Sequence, residues 1–218
     1  MANTYLRIDI VSDVVCPWCV IGYQRLLRAL EAFPAQFDVN IVWHPFELNP
    51  DMPEAGENLR EHIARKYRIT AAQSEDNRAR LTALGTDVGF AFNFTVEMRI
   101  YNTHQAHKLL HWSESSGQQT ALQMQLFRNY FTHGKNLSHE SVLLDAVETV
   151  GLDRQEAAAA LQDTAISRQT RAREEQLLMQ GIQGVPLFIF NQEYAIKGAD
   201  DVSVFEQQLH AILHRHST

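Results

Sequence analysis

The sequence predicts an α/β fold in which one sheet is interrupted by an all-helical insertion. The order of its hydrophobic patterns carries that expectation. Residues 6–11 are rich in β-branched side chains, and residues 37–46 hold Val39, Ile41, Val42 and Trp43, so both runs read as strands. Between them apolar residues recur three and four apart, the spacing of a helix face. Residues 185–190 return to a β pattern after a long stretch with little of it. A strand, helix and strand at one end, with a hairpin and a helix at the other, make one sheet around the insertion.

The first strand stops at Ser12-Asp13. Val20, Ile21, Tyr23, Leu26, Leu27 and Leu30 then mark the buried face of a helix that Phe33-Pro34 ends. From about residue 58 to 180 the pattern reads as helical throughout, with roughly five to seven helices by their start and stop signals. Thr70 with Gln73, and Asp153 with Glu156, have capping-box spacing. Gly85, Gly117, Gly134, Gly151 and Gly181 fall where left-handed C-terminal caps are expected. Asn191-Gln192 predicts a turn, residues 194–197 a returning strand, and residues 200–214 a closing helix.

Nineteen Lys+Arg against 26 Asp+Glu leave a net charge of −7, with no basic run, which argues against nucleic acid as a partner. No segment approaches the roughly 20 apolar residues of a membrane span, and the first residues lack the pattern of a secretory leader. A cytoplasmic location without a membrane partner is the expectation. Thiols stay reduced there, so a close cysteine pair is more readily catalytic or metal-binding than a structural disulfide.

The chain has two cysteines, Cys16 and Cys19, separated by Pro17 and Trp18. Two cysteines cannot close a four-cysteine zinc site, and no metal is expected. Cys16 follows the first strand, and Pro17 is a residue favoured at the first helical position. The Cys16 sulfur is thereby placed beside unpaired amides and the positive end of a helix dipole, which favour a thiolate. Cys19, one turn inward, is expected to be more deeply buried. The pair divides the work: Cys16 exchanges with a disulfide and Cys19 resolves the mixed disulfide.

The run Ser12-Asp13-Val14-Val15-Cys16-Pro17-Trp18-Cys19, followed by Gly22, resembles the active-site motif of DsbA-like thiol oxidoreductases, in particular their FrnE-like branch with its CPWC sequence. The resemblance continues at Trp43-His44-Pro45-Phe46-Glu47-Leu48-Asn49-Pro50, at Asn102-Thr103 with Ala106-His107 and Leu109-Leu110, and at Gly184-Val185-Pro186. It implies a thioredoxin-like fold with a large helical insertion between the second and third core strands. The thioredoxin-like domain then comprises residues 1–57 and 182–218, and the insertion residues 58–181. It also implies that Pro186 is a cis-proline facing the cysteines and that the Val185 backbone pairs with a bound substrate. Pro17, Trp18 and Asn49 join them as expected substrate contacts. Disulfide-containing proteins or small thiols and disulfides are the implied partners, with no tightly bound cofactor and with glutathione as a thiol partner or cosubstrate.

The same resemblance supplies an alternative, a glutathione-dependent isomerase or transferase of the 2-hydroxychromene-2-carboxylate isomerase or kappa glutathione transferase type. In such relatives a Gly-x-Asp segment holds the glutamyl end of glutathione, which puts Asp200 among the candidate binding residues; a plain helix cap is its other reading. They usually carry Ser where this chain has Cys16. Thioredoxin-like proteins often place a buried acid six residues before the first cysteine; that position is Ile10 here, with Asp9 and Asp13 nearby. His104, His107 and His111 are spaced to share a helix face, and His44 follows the second strand toward the substrate side. Hydrogen-bonding roles are expected for all four.

Overall fold

Residues 3–216 are described by a computed structural model of the chain. It opens with β1 (Thr4–Ser12), α1 (Pro17–Glu31) and β2 (Phe37–Pro45). The insertion follows as β3 (Glu57–Asn58), α2 (Leu59–Tyr67), α3 (Ala71–Asp87), β4 (Arg99–Ile100), α4 (His104–Trp112), α5 (Gln119–Phe127), α6 (Glu140–Thr149), α7 (Arg154–Gln162) and α8 (Thr164–Met179). The chain closes with β5 (Leu187–Phe190), β6 (Tyr194–Lys197) and α9 (Val202–His216). The main sheet has the order β2-β1-β5-β6, with β1 parallel to β2 and the other pairs antiparallel.

β1 is hydrogen-bonded on both sides, so its residues must satisfy two faces at once. Leu6, Ile8 and Ile10, all without solvent exposure, share a face with Phe188 and Phe190 of β5 under α1 and α9. Gly22 of α1 lies so close to Phe188 that a Cβ would come 2.9 Å from the ring. Val11 points the other way, into a cluster with Phe46, Leu177 and Leu187 beneath α8. The Asn191-Gln192 turn has φ of 51° and 60°, the left-handed pair that a tight hairpin needs. β2 is an edge strand, and the Gln119 side chain covers it by accepting from Trp43 N (2.9 Å) and donating to Trp43 O (3.1 Å).

The insertion is not helical throughout, as its pattern suggested. β3 and β4 form a two-stranded ladder, and residues 88–98 carry no regular helix or strand. Phe90, Phe92 and Phe94 alternate there like a strand but find ring partners instead of a neighbouring strand, with centroids 4.9 and 5.5 Å apart. Gly85 is likewise not a cap. It lies inside α3, where a Cβ would come 2.3 Å from the Phe92 ring, so the glycine permits close packing. Gly117, Gly134, Gly151 and Gly181 do have positive φ, and Thr70 and Gln73 do form a reciprocal capping box. Asp153 caps α7 through Gln155 N and Glu156 N.

On the insertion side of β1, Asp9 accepts from Arg7 Nη2 and lies against His44 Nε2, each at 2.7 Å. Burial works against this carboxylate, but hydrogen bonds from His44 and Arg7 outweigh it and hold its pKa at about 2. The unfolded chain takes up that proton near 3.8, so the stabilisation is present above about pH 4 and is lost as pH falls toward 2. Asp9→Asn is expected to lower the unfolding free energy at neutral pH by about 2 kcal/mol. Guanidinium melts of both proteins should show that gap closing below about pH 4; a gap independent of pH would contradict the assignment.

Candidate active site

Cys16 is the N-cap of α1, with extended φ and ψ of −95° and 110°, and Pro17 enters the helix behind it. The turn is closed by Cys16 N donating to Asp13 O (3.0 Å) and Cys19 N donating to Cys16 O (3.1 Å). The cap side chain forms no hydrogen bond to the first turn, and that turn contains no acidic residue. The sulfur therefore faces the unneutralised positive end of the helix. Across from it the Val185–Pro186 peptide bond is cis, and Cys16 Sγ lies 3.9 Å from Val185 O. Cys19 is wholly buried, and burial together with the adjacent Cys16 sulfur pushes its thiol well above the free-thiol range. Cys16 is itself only 3% exposed, so reagents reach it through a cavity and not across an open surface.

That cavity has a volume of about 450 Å³ and brings together Cys16, Pro17, Trp18, Asn49 and Val185. Pro186 is buried behind Val185, and its carbonyl accepts from Gly198 N (2.9 Å). Asn49 Oδ1 accepts from Lys66 Nζ (2.7 Å) and lies 2.9 Å from His62 Nε2. Trp18 is partly buried, with the Arg80 guanidinium 5.7 Å from its ring centre. Asp200 is exposed and does not line the cavity; its neighbour Asp201 pairs with Arg25 at 3.2 Å.

The far walls come from the insertion. Tyr130 and Phe131 enter from a π-helical turn, Arg128–Thr132, that extends α5. Lys66, Arg78 and Arg80 enter from α2 and α3. Sequence reasoning missed all five. Their charges have the spacing of any solvated helix, and the π turn leaves no mark on composition.

Behind the cysteines lies a buried polar cluster. The Asp13 side chain is 0% exposed; its Oδ2 accepts from Leu48 N (2.8 Å), and its Oδ1 stands 3.4 Å from His107 Nε2. The latter is an electrostatic contact, too long for a well-formed hydrogen bond. His104 Nδ1 meets Glu47 Oε1 at 2.9 Å, and its Nε2 meets Ser167 Oγ at 2.8 Å. Glu47 N donates to Glu174, whose carboxyl is pushed up by burial and by the charge of Glu47. The α4 histidines thus diverge to separate carboxylates, Glu47, Asp13 and, for His111, Glu114 at 3.8 Å. His44 is held by Asp9 and is absent from the cysteine cavity.

Burial alone would strip the proton from His107, but Asp13, with Glu47 and Glu174 farther off, raises its pKa above the ordinary 6.5. The protonated pair therefore stabilises the fold fully below about pH 6.5, and that contribution is lost as pH rises through the folded value. His107→Gln is expected to flatten the decline in urea midpoint between about pH 6 and 9. An unchanged pH profile would remove His107 as its source.

The model of the DSBA-like thioredoxin domain matches residues 7–210. The uncharacterized protein YwbO of Bacillus subtilis is 25% identical over 205 residues, 94% of this chain and 96% of that protein. The crystal structure of the probable DsbA oxidoreductase SCO1869 from Streptomyces coelicolor superposes with a TM-score of 0.87 at 30% identity, covering 94% of this chain and 88% of the other. The cytosolic disulfide reductase DsbM from Pseudomonas aeruginosa, solved with GSH, shares the fold at a TM-score of 0.63 and 16% identity, covering 95% and 99% of the two chains. The chain belongs to the DsbA-like thioredoxin-domain family.

Proposed function

We propose that the protein is a cytoplasmic thiol-disulfide oxidoreductase of the FrnE-like branch, with Cys16 and Cys19 as its complete catalytic dithiol. The observation that carries this reading is the placement of Cys16. It caps α1, faces Val185 across the cavity floor, and has the buried Cys19 one turn behind it. The CPWC sequence supports the branch.

The Cys16 thiolate attacks one sulfur of a bound disulfide. The substrate S–S bond breaks, a Cys16 mixed disulfide forms, and the first thiolate leaves. Cys19 then releases its proton and attacks the Cys16 sulfur. This closes the Cys16–Cys19 disulfide and expels the second thiolate, so the substrate is reduced by two electrons and the protein oxidised by two. A thiol reductant such as glutathione returns the dithiol. Run backwards, the same steps oxidise a dithiol. The raised Cys19 pKa keeps the resolving thiol protonated until the mixed disulfide has formed.

Cys16→Ser is expected to abolish turnover of glutathione disulfide or insulin, and Cys19→Ser to trap a mixed disulfide on Cys16 visible by mass spectrometry. Full turnover by either variant would point instead to glutathione-dependent isomerase chemistry. In the reduced wild type, iodoacetamide should modify Cys16 first and leave Cys19 unmodified up to about pH 9. Earlier modification of Cys19 would sink the assigned roles.

A further inference from the structure

The cavity over Cys16 is built for a narrower class of disulfide than the dithiol chemistry requires. α2, α3 and the π-helical turn of the insertion enclose Cys16, which retains 3% exposure at the cavity floor. A disulfide held in a folded protein surface has to reach Cys16 past those walls. A small molecule fits the space, since ligand cavities run from about 300 to 1,000 Å³.

The wall chemistry is both apolar and cationic. Ile63, Leu81, Phe94, Ile100, Tyr130 and Phe131 give it apolar walls, with the Phe94, Tyr130 and Phe131 rings in contact around Phe131. α2 and α3, which supply Ile63 and Leu81, also supply Lys66, Arg78 and Arg80, with His62 among them. Among the described residues that line the cavity there is no carboxylate. A local excess of cations is notable in a chain of net charge −7, because the protein's overall field repels anions.

One of these cations has an unmet donor, and another sits on the cysteine motif. Arg78 donates through Nη1 to Ser74 Oγ and through Nη2 to Glu75, yet its Nε is buried with no hydrogen-bond partner in the chain. A buried donor of that kind is stabilised by an incoming acceptor. Arg80 lies over the ring of Trp18, inside the cysteine motif, and so sets a positive charge on the wall of the same cavity.

We infer that the site selects small disulfides that carry a carboxylate and an aromatic arm, with Arg78 and Arg80 holding the carboxylate and the Phe94–Phe131 wall holding the ring. The inference rests on the thiol-disulfide reading and adds its substrate class. Reaction with the reduced protein follows the steps given above: two aryl thiolates leave and the Cys16–Cys19 disulfide forms, with no other reductant required.

The test is a single turnover of the pre-reduced, full-length protein with four probes. These are dithiobis-nitrobenzoate (aromatic, anionic), dithiodipyridine (aromatic, neutral), dithiodiglycolate (anionic, without a ring) and insulin. Each rate is divided by that of free mercaptoethanol with the same probe to remove intrinsic reactivity. Dithiobis-nitrobenzoate is expected to lead each of the others by about ten-fold or more, the size of one charge-assisted hydrogen bond. R80Q and R78Q should each remove about ten-fold of its rate and leave dithiodipyridine within about two-fold. R80K should restore most of the loss. Arg80 is exposed, so R80Q supports the test on its own if R78Q fails to fold, as judged by circular dichroism.

Equal normalised rates across the probes, an R80Q protein indifferent to probe charge, or insulin reduced as fast as the aryl disulfide would overturn the selectivity while leaving the dithiol chemistry intact. No transfer from Cys16 to any of the four would overturn the dithiol reading itself, and the substrate class with it.

Discussion

Asp13 is fully buried at the point where β1 gives way to α1, and a carboxylate there has to be met by donors from its surroundings. Leu48 N, after β2, donates to it at 2.8 Å, and His107, on α4, adds an electrostatic contact at 3.4 Å. The backbone of the same residue accepts from Cys16 N. One side chain thus ties the cysteine loop to the sheet edge and to the insertion. The Cys16 sulfur sits where it does because the turn from Asp13 to Cys16 is anchored at both ends. Loss of Leu48 or α4 packing would be felt at the thiol without touching it.

The insertion gains its place through the same kind of contact. Gln119 satisfies the open edge of β2, and Trp43 Nε1 donates to Thr120 Oγ1 at 3.0 Å. Lys108 Nζ, buried on α4, donates to Leu161 O on α7. These buried polar links have few alternative partners, so they specify one seating of the helical block where apolar packing alone would tolerate several. Seating the block is what encloses Cys16. The insertion carries the cavity's cations and most of its aromatic walls, while the sheet side carries the two cysteines.

Much of this was legible in advance because it is local. Strand and helix periodicity gave the order of the sheet elements, and the four residues 16–19 announced the dithiol. Asn191-Gln192 announced its turn. The misreadings also have physical causes. Gly85 has the same sequence context as a capping glycine, and only the approach of the Phe92 ring distinguishes it. Phe90, Phe92 and Phe94 have strand spacing but meet Phe131 in place of a paired strand. The α4 histidines do take the hydrogen-bonding and carboxylate contacts expected of them, but which acids they meet is set by three separate segments.

By itself the sequence determined where Cys16 would stand, since a strand end, a cysteine and a proline form a helix cap through contacts a few residues apart. It also determined that Cys19 would lie one turn deeper. Tertiary structure decided the rest: that Val185 faces Cys16 across 169 positions of chain, and that Asp13 is held by His107 and Asp200 stands outside the cavity. Likewise only the folded chain sets Arg80 over Trp18 and brings Arg78 to the same cavity. Those relations depend on how the insertion packs against the sheet in one shared core, and long-range packing leaves no periodicity in the residues it joins.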